Sequence, residues 1–166
     1  MTEPVDPSTL ARLAEHEEFL RFPDFTHADA WAVGSRIVEL GTERNAPIAA
    51  TIFLGDQRVF HVGLAGSTAD NDDWLDRKVG VVRRFNASSL LIRDQFRAKG
   101  IDVVEPRLGL DHSRHTFSGG AFPLRVRSAL VGVVGVSGLT DEADHDLVVE
   151  VLTEHLSSLQ DETPAS

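Results

Sequence analysis

Ile48-Ala49-Ala50-Thr51-Ile52-Phe53-Leu54-Gly55-Asp56-Gln57-Arg58-Val59-Phe60-His61-Val62-Gly63-Leu64 reads as two β-rich runs joined by a Gly-Asp-Gln turn. The spacing predicts a β-hairpin. A second pair of runs, Phe122 to Arg127 and Leu130 to Val136, predicts another. The last run is nearly all apolar and carries Gly132 and Gly135, as expected of a buried strand that meets another backbone.

Helical periodicity fills the intervals. Pro7 to Leu20 carries a partial stripe of Leu10, Leu13, Ala14, Glu17 and Leu20, ended by Pro23. Thr26 and Asp29 form a capping pair for a second helix whose face is Ala30, Val33, Ile37 and Leu40. Between the hairpins, Asn71 to Lys99 reads as one long helix closed by Gly100. Its expected inner side holds Trp74, Val81, Phe85, Ile92 and Phe96, and Arg83, Arg84, Arg93 and Arg97 mark the wet side. Ser88 and Ser89 lie within the stripe, where small residues admit a neighbouring backbone more readily than they suggest a catalytic serine. A last helix runs from Thr140 to about Leu159, with Leu147, Val148, Val151, Leu152, His155 and Leu156 on one face.

The order helix, helix, hairpin, long helix, hairpin, helix predicts an α+β fold, an antiparallel sheet built from two hairpins and flanked by α-helices. Without a repeat or a dividing linker, residues 1–166 read as a single layered domain, frayed at 1–6 and 160–166.

Composition narrows the function. Acids outnumber bases 26 to 16, a formal net charge of −10, which repels nucleic-acid phosphates and anionic lipid. No apolar run reaches the roughly 18 residues of a membrane span, and the acidic start Met1 to Asp6 does not resemble a signal peptide. Without cysteine there is no thiolate nucleophile and no disulfide framework, so a cytoplasmic location is expected. Seven histidines are the notable resource, since each can ligate a metal or move a proton near neutral pH.

Three segments could carry chemistry. In Ser118-Gly119-Gly120-Ala121-Phe122-Pro123-Leu124, paired glycines allow backbone amides to approach an anion. Val136-Ser137-Gly138-Leu139-Thr140 runs from a strand into a helix start, a locally positive site for a carboxylate or phosphate. Asp141-Glu142-Ala143-Asp144-His145-Asp146 places acids in the first helical turn, which suits the helix dipole and opposes an anionic ligand. Asp111-His112-Ser113-Arg114-His115 adds histidines that could join His145. The sequence contains no phosphate-binding loop, hydrolase elbow or His-Glu-x-x-His zinc helix.

Taken together, several strings are similar to the heme-degrading-domain family of HbpS and GlcG relatives. They are Trp74-Leu75-Asp76-Arg77-Lys78-Val79 with Val82-Arg83-Arg84-Phe85 and Ser88-Ser89, then Gly119 to Val126, Val133 to Leu139, and Asp144 to Val149. The likeness covers roughly residues 30 to 155. It implies an antiparallel sheet flanked by helices, homo-oligomers built from dimers, and heme as cofactor in those relatives that bind or degrade it. Ser118 stands where this branch commonly has a histidine, and Thr140-Asp141 where it often has Pro-Gln.

The leading expectation is therefore a cytosolic heme-binding protein with His112, His115 or His145 as iron ligand, an activity that extends to heme degradation in some relatives. The alternatives are a non-enzymatic oligomeric adaptor, and a small-anion enzyme or sensor using the amides of Gly119, Gly120, Ser137 and Gly138. Antiparallel pairing should bring the 112–120 loop beside the 137–145 turn, making a small-molecule pocket from His112, His115, Ser118, Gly119, Gly120, Ser137, Gly138, Asp144 and His145.

Overall fold

A computed structural model describes residues 4–102 and 105–162. Its elements are α1 (Pro7–Phe19), α2 (His27–Glu43), β1 (Ala49–Leu54), β2 (Gln57–Gly63), α3 (Ala69–Phe85), α4 (Ser89–Ala98), β3 (Ala121–Val126), β4 (Ala129–Ser137) and α5 (Asp141–Asp161). A 3₁₀ turn, Pro106–Leu108, interrupts the loop before β3. The four strands form one antiparallel sheet in the order β2-β1-β4-β3, so β1 and β4 join the two hairpins. The α+β expectation holds, with one layered domain.

Strand alternation sorts the core into two faces. Ile52, Phe122, Leu124, Val134 and Val136 face α2 and α5, where they meet Val33, Ile37, Leu147, Val148 and Leu152. Phe53, Ala121 and Val133 face the opposite way, onto Val79 and Val82 of α3. Gly132 is required in the middle, because a Cβ there would overlap the Phe53 carbonyl oxygen of the neighbouring strand. The outer edge of β3 is covered by Phe22, whose amide donates to the Arg125 carbonyl at 2.9 Å while its carbonyl accepts from the Arg127 amide at 3.0 Å. No strand covers the outer edge of β2 among the described residues.

The predicted long helix is two helices. Asn86 adopts a left-handed conformation (φ 55°), and its amide still reaches the Val82 carbonyl at 2.8 Å, which ends α3. Ser88 then caps α4, its hydroxyl accepting from the Leu91 amide. The break changes which residues are buried. Leu75, Lys78, Val79, Val81 and Val82 form the inner side of α3, whereas Trp74, Phe85 and Phe96 are only half-buried. Arg93, expected in water, is buried in α4. Ser89 fulfils the close-approach reading: its hydroxyl accepts from the Ala121 amide at 3.1 Å.

At the termini, Asp6 caps α1 through the Ser8 amide and α5 continues to Asp161. The expected fraying of 1–3 and 163–166 falls outside the described residues.

Candidate functional site

The 118–120 strand entry and the 137–144 turn do meet. Ser118 Oγ donates to Asp141 Oδ1 at 2.6 Å, and the Gly119 amide donates to the same carboxylate. Asp144 turns back on the strand exit and accepts from the amides of Gly138 (3.3 Å) and Leu139 (3.0 Å). Of the amides expected to take an external anion, those of Gly119 and Gly138 thus hold carboxylates of the chain itself. The glycines serve the same closeness. A Cβ at Gly119 would overlap the Asp141 carbonyl, and one at Gly138, where φ is 144°, would overlap the Pro47 carbonyl. Protein backbone, not ligand space, occupies those positions.

Asp144 has a partner the sequence reading missed. Lys78 Nζ lies 3.0 Å from Asp144 Oδ2 and 3.1 Å from the Val136 carbonyl, and both charged side chains are only 2% exposed. Burial pushes the Asp144 carboxyl upward, against the pull of Lys78 and the two turn amides. Asp141 goes the other way. Burial raises it, but bonds from Ser118, Arg93 and the Gly119 amide outweigh this and hold it below the usual range. Arg93 links Asp94, Asp141 and Glu142, tying α4 to the start of α5. Beyond the ion pair opens a cleft of about 290 Å³, bordered by Asp70, Asn71 and Trp74 of α3 and by Ser137, Gly138 and Leu139.

The three candidate histidines are not in that cleft. His145 lies on the α5 side, fully buried, stacked on His16 and tilted against Phe122. Its Nε2 is 3.2 Å from His16 Nδ1, and its Nδ1 has no partner among the described residues. Burial pushes the imidazole down to about 3, so it is neutral near pH 7. His112 is exposed. His115 is half-buried against α3, in a separate groove of about 440 Å³ lined by Asp76, Gly80, Arg83, Arg84, Ser113 and Arg114. Its Nδ1 lies 3.0 Å from the Asp111 carbonyl. The expected union of His112, His115 and His145 with the glycine segment is therefore not formed. No group of three or more His, Asp or Glu side chains converges for a metal among the described residues.

The "Haem degrading protein HbpS-like" family profile matches residues 25–153. The chain belongs to this family. Among relatives of the HbpS-like chain, a UPF0303 protein of Streptomyces avermitilis is 47% identical over 158 residues, spanning 95% of this chain and 96% of its own. The solved Ybr137w protein shares 28% identity with a TM-score of 0.83, covering 93% of this chain and 91% of that one. The solved PduOC:heme complex has the same fold at TM-score 0.66 and 15% identity, over 78% of this chain and 93% of its own. α1 of this HbpS-like protein lies outside the matched span.

Lys78 and Asp141 were absent from the sequence-derived site. A lysine on an acid-rich helix reads as solvated, and Asp141 reads as a dipole-favoured first-turn acid. The available signal was the spacing of Lys78 within the inward positions Leu75, Val79 and Val82.

Proposed function

We propose that this chain binds heme in the arginine-lined groove, with His115 as the iron ligand. One observation carries the reading. A carbonyl only accepts hydrogen bonds, so the 3.0 Å contact to Asp111 fixes the His115 proton on Nδ1 and leaves a lone pair on Nε2. A metal-ligating histidine is commonly oriented in this way, by a carbonyl on its far nitrogen. Arg83, Arg84 and Arg114 border the same groove and supply the cations that propionates require. His145 fits poorly, being sealed beneath α1 with Nε2 engaged, and His112 has no such support. Bound heme would supply an iron centre for redox or oxygen chemistry. The chain's residues would orient it and neutralise its carboxylates.

Membership of the HbpS-like family supports the heme reading, and the form proposed with it is cytoplasmic and homo-oligomeric. No helix among the described residues is long and apolar enough to cross a membrane. The adaptor reading draws on Trp31, 69% exposed and packed edgewise on Phe60 beside the uncovered β2 edge, a surface suited to further copies.

A hemin titration tests the assignment. The parent should give a sharp Soret band at one heme per chain, His115→Ala should lose it, and His112→Ala and His145→Gln should keep it. Binding by His115→Ala equal to that of the parent would remove His115 from the role.

A further inference from the structure

The Lys78–Asp144 pair forms the floor of a cleft that the heme reading does not use. Desolvating two charges commonly costs more than their attraction returns, so the pair is weak evidence of a purely stabilising role. An ammonium group has three donors. Two go to Asp144 and the Val136 carbonyl, and the third has no protein acceptor among the described residues. Gly120 lets the strand pass close behind the pair, since a Cβ there would lie 2.3 Å from the Val136 carbonyl oxygen and 3.0 Å from Nζ.

Around this floor the unspent groups are mainly donors. Trp74 and Ser137 line the cleft, and neither the indole N–H nor the hydroxyl has a protein partner among the described residues. Asn71 spends its carbonyl oxygen on the Thr68 amide at 2.9 Å, which leaves its NH₂ group. The charges select against ions of either sign. An anion would meet Asp70, Asp141 and Asp144, and the turn amides that could have compensated are already occupied. A cation would meet Lys78 at the floor.

We propose that this cleft binds a small uncharged hydroxy-carbonyl compound, whose oxygen accepts the third Lys78 hydrogen and whose remaining oxygens meet Ser137, Asn71 and Trp74. Asp144 acts as a positioning residue, holding Nζ in place while balancing its charge.

The chain has two tryptophans, so a ¹⁵N-labelled sample gives two indole signals, with Trp31 as the internal control. Titration with dihydroxyacetone should move the Trp74 signal saturably and leave Trp31 unmoved. Lys78→Met, if folded, should weaken the response about tenfold or more, the scale of one hydrogen bond to a charged group. If it does not fold, Ser137→Ala takes its place, with weakening of a few fold expected. His115→Ala should respond like the parent, which separates this site from the heme groove. The proposal is overturned if acetate or ethylammonium saturates the Trp74 shift instead, if no probe moves it, or if the folded floor variant responds like the parent.

Discussion

The two faces of the sheet are built differently. Toward α2 and α5 the strands present Ile52, Phe122, Leu124, Val134 and Val136, and the helices answer with Val33, Ile37, Leu147, Val148 and Leu152. Toward α3 the apolar cluster is smaller, with Phe53 beside the short Ala121 and Val133, and polar groups are interleaved. Ala121 and Val133 meet Val79 and Val82, with Thr51, Lys78 and Ser89 buried nearby and Arg93 and Asp94 in the adjoining α4. The first face maximises apolar contact, which is the main source of stability. The second trades part of it for fixed charges and directed hydrogen bonds. Both the arginine groove and the Lys78 cleft border α3, so the candidate chemistry lies on the side that gives up packing.

The contrast breaks most visibly at Phe122. It is 1% exposed on the apolar face, and Phe122→Ala should cost about 3–5 kcal/mol, read from urea unfolding. A loss below 1 kcal/mol would mean that this face does not dominate stability.

The ion pair offers a sharper comparison through a double-mutant cycle. Asp144→Ala leaves Lys78 charged and buried without its partner, at a cost of about 3 kcal/mol. Replacing both, as Lys78→Met with Asp144→Leu, should recover most of that loss or exceed parental stability. If the double variant were as unstable as the single one, the α3 face would need the charges for folding itself.

The smallest effect concerns acid. His145 is held neutral at about 3, below the ordinary histidine value of 6.5. Below pH 6.5 the unfolded chain binds a proton that the folded chain refuses, so stability falls as pH drops toward 3. The slope approaches at most about 1.4 kcal/mol per pH unit, or about 2 kcal/mol between pH 7 and 5. His16 is also lowered by burial and adds in the same direction. Melting temperatures of the parent should fall over this range, and those of His145→Gln should fall less. Parallel curves would show that the buried imidazole is not the acid-sensitive group.

Much of the fold was legible because local rules agreed with the final packing. Thr26 and Asp29 form the full capping box, and Gly132 sits where another backbone arrives. The break between α3 and α4 was legible in principle as well. Asn86-Ala87-Ser88 pairs a residue tolerant of left-handed geometry with a strong helix cap, but continuous apolar periodicity masked it. The site was less accessible. Sequence order brought Ser118 and Asp144 together through hairpin geometry. It gave no hint that Asp141 and Asp144 would fill the nearby amides, or that His145 would find His16 across 129 positions. Those pairings depend on how α1, α3 and α5 dock, which no local pattern encodes.

The depth of Lys78 and Asp144 also sets how the molecule senses dissolved salt. Mobile ions screen exposed charges over about 8 Å at physiological strength but affect a mutually neutral pair only 2% exposed much less. Arg83 and Arg114 stand at the surface, where added electrolyte competes directly for their fields. The two neighbouring hollows along α3 therefore differ in ionic-strength response, the one floored by the buried pair nearly indifferent and the one walled by exposed arginines strongly dependent.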